Sequence, residues 1–385
     1  MKRIVLSFFA LSLLAACSGT SPTTQTSAKS DGIVTFKIVQ INDVYEIDPL
    51  KDGEYGGMAR VAHIRDSIKK ENPNTFLMLA GDFLNPSLLS TIKLDGERIQ
   101  GKQMVEVMNA MDFDLVTFGN HEFDLSEKHL QERLNESNFE WTSANTRHVT
   151  KDGTDFFYSH RPSGKVAVTD YSVFEVKDAD GDKIKFGVVG VTLGSNPKDY
   201  VHYGDIYKEM ERAYKLAGKE SDFVIGLTHV ALDEDKEIAR RLPGLSLIMG
   251  GHEHNNMYVK EGSTMIAKAD ANAKTLFVHT FTYNTRNKDL HLDSQLMEVN
   301  RKIASSPEVE VVVDKWMKVL NDNLSEIVSN PEEIIFTTKE VWDGTDDGNR
   351  GKQTNLGEII TNAMINVYKG ETNAAILNGG GIRID

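Results

Sequence analysis

Residues 115–124 read LVTFGNHEFD and join a short apolar run to a series of polar residues. The first four residues have the length and composition of a buried strand. Similar runs recur at residues 36–41, 76–80, 223–227 and 245–249. Amphipathic stretches of helical length lie between the runs, at residues 58–70, 102–111, 126–134 and 233–241. This alternation predicts an α/β sandwich.

Each apolar run ends in residues that are able to bind metal. The strand ends are Asn42-Asp43, Gly81-Asp82, residues 119–124, Thr228-His229 and residues 250–254. Taken singly, such residues are more often helix caps, turn formers or packed core histidines. In α/β sheets, however, functional groups collect beyond the carboxyl ends of the strands. The sequence therefore predicts one shared site with oxygen and nitrogen ligands, a mixture that suits zinc, manganese or iron.

These motifs resemble the calcineurin-like metallophosphoesterase superfamily, and within it the bacterial 5′-nucleotidase and UDP-sugar hydrolase family. The most specific element is Gly-Asn-His-Glu-Phe-Asp at residues 119–124, supported by the pairs at 81–82 and 228–229 and by Gly-His-Glu-His at 251–254. All stand in the family's order. The resemblance implies a metallophosphoesterase α/β sandwich, followed by the start of an α/β C-terminal nucleotidase domain.

The resemblance also implies a site for two divalent metal ions, zinc, manganese or similar. Asp82 matches the ligand that bridges both ions. Asp43 and His254 match ligands of the first ion, and the ligands of the second are Asn120, His229 and His252. Two cations about 3.5–4 Å apart polarise a phosphoryl group and lower the pKa of a bound water.

His121 and Asp124 match the family's catalytic pair rather than its ligands. His121 is expected to stabilise the charge that develops during phosphoester cleavage and to assist the leaving oxygen. Asp124, three residues later, is expected to orient the imidazole. A second role for Asp124, as a helix cap before Ser126, is compatible with the first.

The first motif departs from the family's pattern. Family members usually have Asp-x-His, whereas this chain has Asp43-Val44-Tyr45. Three roles for Tyr45 are open: it ligates as a phenolate to a hard trivalent metal, it borders the site, or His254 and water complete the first ligand set without it. We expect the border role, with an altered metal preference at the first position.

A second domain is expected after residue 331. Residues 307–328 have helical periodicity and resemble the family's connecting helix. Residues 334–341 and 374–377 have strand character, and residues 355–368 have helical character. By resemblance, Arg350, Asn378 and Arg383 hold the substrate's phosphate and ribose. On motif grounds alone, a solvated loop charge and a bare glycine turn explain these residues as well.

The predicted boundaries are 1–16 for a lipoprotein signal peptide, 17–32 for a flexible tether, 33–300 for the metallophosphoesterase domain, 301–331 for the connecting helix and 332–385 for an incomplete C-terminal substrate-binding domain. Family members continue beyond the position that matches Asp385. We therefore expect the last segment to be unstable or mobile unless a missing half is supplied.

The N-terminus has the features of an export signal. Lys2 and Arg3 precede an apolar run at residues 4–16, which is too short to span a bilayer. The run ends in Leu-Ala-Ala before Cys17, resembling the lipobox of bacterial lipoproteins, so we expect lipidation of Cys17. A plain secretory signal is the alternative. Because Ser18, and no aspartate, follows, the resemblance favours the outer membrane, with a lipid anchor as the only membrane contact.

Composition excludes some partners. The chain of 385 residues is 40% hydrophobic and 26% charged, which is ordinary for a globular protein. Its formal charge of −14 becomes −16 once Lys2 and Arg3 are removed. Such an acidic chain argues against binding of a nucleic acid polymer. Cys17 is the only cysteine, so no disulfide forms within the chain.

The acidic segment at residues 178–182 is a further candidate. It joins strand-like residues 171–176 and 184–191, which are expected to form a hairpin-like insertion. The aspartates hint at a calcium loop, but the rest of an EF-hand is missing, so a solvated turn is favoured.

The expected function is that of an exported 5′-nucleotidase which releases phosphate from small-molecule nucleotides. Hydrolysis of UDP-sugars or 2′,3′-cyclic nucleotides is the alternative within the enzyme class, since the same metal centre serves each. A non-catalytic lipoprotein that binds nucleotide or metal is the alternative outside it, because Tyr45 and the short second domain depart from the family pattern.

Overall fold

The structure is a computed structural model that describes residues 30–50, 53–162, 164–331, 333–334, 336–368 and 370–382. The predicted signal peptide, the lipidation site Cys17 and the substrate-binding candidate Arg383 lie outside the described residues. The chain divides into two compact units, Met1–Asn323 and Leu324–Asp385.

The strands in chain order are β1 (Ile33–Ile41), β2 (Thr75–Ala80), β3 (Lys93–Leu94), β4 (Glu97–Arg98), β5 (Leu115–Thr117), β6 (Glu140–Thr142), β7 (Thr146–Thr150), β8 (Gly153–Asp155), β9 (Tyr158–Arg161), β10 (Gly164–Ala167), β11 (Tyr171–Lys177), β12 (Lys183–Thr192), β13 (Val201–Tyr203), β14 (Phe223–His229), β15 (Leu247–Gly250), β16 (Met257–Glu261), β17 (Thr264–Lys268), β18 (Thr275–Asn284) and β19 (Leu290–Glu298). The α-helices are α1 (Met58–Glu71), α2 (Leu88–Thr91), α3 (Lys102–Ala110), α4 (Glu127–Glu136), α5 (Ile206–Ala217), α6 (Leu232–Arg241), α7 (Pro307–Ser325), α8 (Asp346–Gly351) and α9 (Asn355–Val367).

The first unit is built on two six-stranded sheets. The strand order is β19-β18-β1-β2-β5-β6 in one sheet and β11-β12-β14-β15-β17-β16 in the other. The central strands of each sheet pair in parallel, and the strands at one or both edges pair antiparallel. All five apolar runs that the sequence analysis singled out belong to these sheets, as β1, β2, β5, β14 and β15. The predicted α/β sandwich is confirmed.

Aromatic packing holds the two sheets face to face. Phe36 of β1 stacks on Phe186 of β12, with ring centroids 4.6 Å apart, and on Phe281 of β18 at 4.7 Å. All three side chains are fully buried. On the outer face of the second sheet, Ala213 of α5 and Ile238 of α6 belong to a separate buried cluster. The helices therefore form the outer layer over this sheet.

The expected hairpin-like insertion is wrong as to its place in the fold. β11 and β12 do pair as an antiparallel hairpin, but β12 also pairs in parallel with β14 and is an internal strand of the second sheet. Residues 186–192 of β12 are all buried, the pattern of a strand covered on both faces. Their continuous apolar character was the signal for this position.

The turn after β11 contacts the start of the described chain. Ser30 Oγ lies 2.8 Å from both carboxylate oxygens of Asp182, the Asp31 amide donates to Asp180, and the Gly32 amide donates to Asp182. The last residues of the predicted tether are thus hydrogen-bonded to the first unit.

Among the described residues of the second unit, the predicted helix forms and the predicted strands do not. Residues 355–367 form α9, capped by Thr354. In the described parts of residues 334–341 and 374–377, no strand forms. Ile334, Val341 and Ile376 are 83%, 89% and 93% exposed. A strand needs a hydrogen-bonded neighbour, and the described residues of this unit offer none.

The segment predicted as a connecting helix, residues 301–331, contains α7, and residues 307–323 of this helix belong to the first unit. Val309, Val313, Trp316 and Leu320 are buried, and the Trp316 indole donates to Glu106 of α3 at 2.9 Å. None of the helices among the described residues has the length and apolar character needed to cross a bilayer.

Candidate metal centre

The carboxyl ends of the central strands of both sheets meet at one edge of the sandwich. The Asp43 amide, after β1, donates to Gly81 O after β2, at 3.0 Å. His229, the last residue of β14 in the other sheet, approaches Ala80 O with its Nδ1 atom at 2.8 Å. This contact joins the two sheets at the point where the predicted ligands cluster.

Asp43, Asp82 and His229 form the core of the cluster. Each offers a potential ligand atom, and these atoms lie within 4.8 Å of one another. His229 Nε2 is 3.1 Å from Asp82 Oδ2 and 3.9 Å from Asp43 Oδ1. His254 Nε2 lies 3.4 Å from Asp43 Oδ1 on another side. The three core side chains are at most 1% exposed.

Three buried polar atoms in this cluster have no hydrogen-bond partner. They are Asp43 Oδ1, Asn120 Oδ1 and His229 Nε2. The short distance from His229 Nε2 to Asp82 lacks the geometry of a hydrogen bond. A buried polar atom left without a partner costs about 1–3 kcal/mol. The three atoms are one carboxylate oxygen, one amide oxygen and one imidazole nitrogen, which fit a transition-metal cation.

The other polar atoms of these residues are satisfied, which fixes the direction of the unpaired ones. Asp43 Oδ2 accepts from Asn42 Nδ2 at 2.8 Å and from the His252 amide at 2.9 Å. With Nδ1–H donated to Ala80 O, a neutral His229 presents the lone pair of Nε2. Such partners of ligand residues fix the tautomer and orientation with which they bind metal.

The electrostatics indicate a position for a cation. Burial alone would lower the pKa of His229, but the charges of Asp82 and Asp43 raise it well above its ordinary value. Burial would likewise raise the pKa of Asp43, but the charges of His229 and His254 lower it. The two carboxylates thus draw a proton onto the nearest imidazole, the place that a metal ion fills when it binds.

The backbone is strained at these positions. Asp43, Asp82, His252 and His254 all have positive φ, at 52°, 57°, 91° and 63°. Such conformations are uncommon outside glycine and cluster at functional sites. Space is also short, because a Cβ on Gly119 would lie 2.1 Å from Asp82 Oδ1. The strand ends therefore approach as closely as glycine permits.

The remaining predicted ligands border the same cluster. Asn120 is 5% exposed, and its Nδ2 lies 3.5 Å from Asn196 Oδ1. The His252 ring lies 5.5 Å from the His229 ring, centroid to centroid. Burial, together with the neighbouring charge of His229, lowers the pKa of His252, so this imidazole is neutral and able to ligate.

Tyr45 points its hydroxyl into the cluster. Tyr45 Oη donates to Asp82 Oδ2 at 3.2 Å and lies 3.0 Å from His254 Nε2. The side chain is 6% exposed, and its ring packs edge-on against the His254 ring. The phenol is thus inside the site.

His121 and Asp124 form a hydrogen-bonded pair beside the cluster. His121 Nδ1 lies 2.6 Å from Asp124 Oδ2. Asp124 also accepts from Asn85 Nδ2 at 3.0 Å and from Asn196 Nδ2 at 2.6 Å. Burial would raise the pKa of Asp124, but the hydrogen bond and charge of His121 lower it. Asp124 is therefore a carboxylate held by three donors, which fixes the imidazole beside the site.

Sequence reasoning missed Glu122. This fully buried carboxylate accepts backbone N–H bonds from Gly119 at 2.6 Å, Phe83 at 2.7 Å, Asp82 at 2.9 Å and Leu84 at 3.0 Å. It ties the loop after β2 to the loop after β5. Burial and the charge of Asp82 raise its pKa, and the amide hydrogen bonds oppose that rise.

Sequence reasoning also missed Lys268, whose ammonium is buried behind the histidine loops. Its Nζ donates to Val230 O at 2.7 Å and to Gly251 O at 2.9 Å. It pairs with Asp235 at 2.9 Å and with Glu253 at 2.5 Å. Lys268 therefore joins the loop that follows His229 to the loop that carries His252 and His254.

Arg350 and Asn378, the two substrate-binding candidates among the described residues, lie close to one another. A Cβ added to Gly380 would lie 2.8 Å from Arg350 Nη2, so the glycine run passes directly against this arginine. Asn378 caps the short helix Gly379–Gly381, accepting from the Gly380 amide at 3.3 Å. The second unit thus brings Arg350 and Asn378 to one loop cluster.

Comparison with known proteins gives consistent results. A family model described as calcineurin-like phosphoesterase matches residues 36–256. The trifunctional nucleotide phosphoesterase protein YfkN of Bacillus subtilis is 26% identical over 404 residues, covering 92% of this chain and 26% of YfkN. The 5′-nucleotidase of Homo sapiens is 25% identical over 363 residues, covering 85% of this chain and 59% of the human protein. The chain thus spans less than two-thirds of these relatives.

Among solved structures, the crystal structure of a 5′-nucleotidase precursor from Thermus thermophilus is similar, with a TM-score of 0.73 and 23% identity. The match covers 91% of this chain and 70% of that one. This likeness shows a shared fold.

Proposed function

We propose, from the premise that this chain belongs to the calcineurin-like phosphoesterase family, that it hydrolyses phosphate monoesters of nucleotides with two divalent cations. The observation that carries the proposal is the set of three buried potential ligand atoms, on Asp43, Asn120 and His229, that have no hydrogen-bond partner. They lie where the strand ends of both sheets meet. A carboxylate oxygen, an amide oxygen and an imidazole nitrogen suit a metal ion, and none of the three has a hydrogen-bond partner among the described residues.

The ligand assignment follows the family pattern and is supported by the arrangement of atoms. Asp82 Oδ2 lies between Tyr45 Oη at 3.2 Å and His229 Nε2 at 3.1 Å, which suits a bridging carboxylate. By the family pattern, Asp43 and His254 would hold one cation with Asp82, and Asn120, His229 and His252 would hold the other. When bound, the two cations polarise the phosphoryl oxygens and activate a water for attack on phosphorus.

His121 and Asp124 supply the protein's own catalytic groups. Asp124 accepts a hydrogen bond from Nδ1–H of His121, which fixes the orientation of the imidazole ring. His121 then donates toward the phosphoryl or leaving oxygen as negative charge develops there. Asn85 and Asn196 hold Asp124 in place through its two oxygens.

The proposal that the substrate is a nucleotide has separate support. The relatives are named as nucleotide phosphoesterase and 5′-nucleotidase, and Arg350 and Asn378 lie together in the second unit. A guanidinium and an amide are suited to a phosphate and a ribose. Arg383 belongs to the same proposed set by its place in the motif.

We also infer export and lipid anchoring, from the basic and apolar N-terminus and the sequence before Cys17. The protein would then meet extracytoplasmic nucleotides. Mass spectrometry of the mature membrane-bound protein tests this. An N-terminus at Cys17 that carries acyl chains supports it, and an unmodified Cys17 in a soluble product contradicts it.

The enzyme assay uses protein that starts at Ser18, loaded with manganese or zinc and tested on AMP and on an aryl phosphate ester. Release of phosphate from AMP that stops when a chelator removes the metal supports the proposal. Turnover of the aryl ester alone supports a phosphoesterase with another substrate, and UDP-sugars and 2′,3′-cyclic nucleotides are then assayed. Bound metal without turnover of either compound contradicts the enzymatic function and leaves the non-catalytic binding role.

A further inference from the structure

The hydroxyl of Tyr45 occupies a defined place in the cluster. It lies 3.2 Å from Asp82 Oδ2 and 3.0 Å from His254 Nε2, and His254 Nε2 is in turn 3.4 Å from Asp43 Oδ1. The four side chains thus present three carboxylate or phenol oxygens and one imidazole nitrogen to one small volume.

These separations match those between neighbouring ligands of one metal ion. For metal–ligand bonds of about 2.0–2.2 Å, ligand atoms at octahedral or tetrahedral angles stand about 2.8–3.6 Å apart. All three distances fall in that interval. Tyr45 Oη lies within this interval of two predicted ligand atoms at once, Asp82 Oδ2 and His254 Nε2, which come from different loops of the cluster.

The backbone of Tyr45 is fixed, so the direction of its hydroxyl is set before any metal binds. Its amide donates to Asn272 Oδ1 at 2.9 Å, and the Asn272 amide donates to Asp43 O at 2.8 Å. The aromatic ring contacts the His254 ring, with centroids 5.4 Å apart. Tyr45 is therefore held to the same framework as Asp43, the first ligand.

We propose that Tyr45 Oη is a direct ligand of the first metal ion, together with Asp43, Asp82 and His254. The inference rests on the proposed function, because it requires the metal centre. A ligating phenol binds as phenolate and releases its proton to solvent. The first position then has three anionic oxygens and one imidazole, a harder set than one with a second imidazole, and it favours manganese or iron over zinc.

The first test is spectroscopic. Metal-free protein starting at Ser18 is titrated with zinc and with manganese, and the near-ultraviolet difference spectrum of ionised tyrosine is recorded beside the bound-metal count. The expected result is two metal ions per chain, with a signal of one ionised tyrosine that is absent in Tyr45→Phe. Tyr171→Phe is the matched control, because its phenol donates to a carboxylate, Glu220, at 2.8 Å and no predicted ligand is involved.

The second test uses Tyr45→His, which restores the family's imidazole. This variant is expected to bind two ions without the tyrosine signal and to shift its relative affinity toward zinc by about tenfold or more. Tyr45→His also provides the test if Tyr45→Phe does not fold. Circular dichroism of each metal-free variant shows whether that variant is folded.

Two results would overturn the proposal, and the first of them leaves the proposed two-cation function intact. If the parent chain binds two ions and hydrolyses ester without a tyrosine signal, Tyr45 borders the site. If the parent binds one ion and Tyr45→His binds two, the hydroxyl excludes the first ion through its hydrogen bonds. A parent that binds no metal refutes the proposed metal centre itself, and the inference fails with it.

Discussion

Replacing Glu122 by glutamine tests whether one buried carboxylate holds the metal loops together. The carboxylate accepts four backbone N–H bonds, two on each oxygen. Glutamine keeps one accepting oxygen and turns a donating amide toward the other two N–H groups. Each buried donor left unpaired costs about 1–3 kcal/mol, so the free energy of unfolding should fall by about 2–6 kcal/mol. Depending on which way the amide turns, the lost pair is Gly119 with Asp82, or Phe83 with Leu84.

The assay is urea unfolding of the chelator-treated protein at neutral pH, followed by measurement of metal affinity. Because Glu122 fixes the loops of Asp82 and Asn120, metal affinity should also weaken by about 10–100-fold. Glu97→Gln is the control, since Glu97 is an exposed partner of Lys128 and should change stability by less than about 1 kcal/mol. If Glu122→Gln unfolds like that control and binds metal like the parent, the carboxylate is not the clamp between these loops.

Three further predictions concern catalysis, the buried ion network and pH. His121→Asn and Asp124→Asn should each lower kcat by about 10²–10⁴-fold with the bound-metal count unchanged, and loss of metal would instead make these residues part of the ligand framework. Lys268→Met should lower the free energy of unfolding in urea by about 3–5 kcal/mol, because it leaves Asp235 buried without its partner. The exposed control Lys318→Met should lower it by about 1 kcal/mol or less, and equal losses in the two variants would refute the buried network. Burial lowers the pKa of His279 to about 3, below its ordinary 6.5, so its stabilisation is complete above pH 6.5 and declines by about 1.4 kcal/mol per pH unit as the pH falls toward 3. His279→Gln should remove that slope in urea unfolding between pH 6.5 and 5, and an unchanged slope would show that other groups cause the acid sensitivity.

The sequence predicted the ligand cluster because the physical rule behind it is simple. Parallel strands in a sandwich end at one edge, so polar residues after several apolar runs converge there. Asp43, Asp82 and His229 fulfil this expectation with atoms within 4.8 Å of one another. The number of residues between Asp43 and His229 does not predict that they meet, because the two residues follow strands of different sheets.

The supporting residues were not predictable in the same way. Glu122 acts through bonds to four backbone amides, and no residue pattern announces where backbone amides of distant loops will point. Lys268 ends β17 and reads in sequence like an ordinary strand-end lysine. Its burial follows only from the approach of α6 and the loop after β15, which bring Asp235 and Glu253 to it.

The two strands expected in the second unit show where prediction from local sequence fails. Residues 334–341 and 374–377 have the composition of strands, but a strand exists only through its neighbours. Helix α9 closes its hydrogen bonds within itself, so its formation depends on local sequence and on the Thr354 cap. Local propensity was therefore sufficient for the helix, and it was insufficient for strands in the parts of these two segments that the structure describes.

The strained backbone of the ligand residues connects the fold to the chemistry. Four predicted ligands have positive φ, and such conformations cost about 1–3 kcal/mol each, less for aspartate than for histidine. The hydrogen bonds from Asn42 and from the His252 amide to Asp43 stabilise part of this strained backbone, and Lys268 holds the same loop at Gly251, next to His252. The buried ligand atoms of the cluster that remain unpaired, Asp43 Oδ1, Asn120 Oδ1 and His229 Nε2, are those that a cation satisfies. Metal binding should thus stabilise the folded chain while the loops supply a ligand geometry that is already formed.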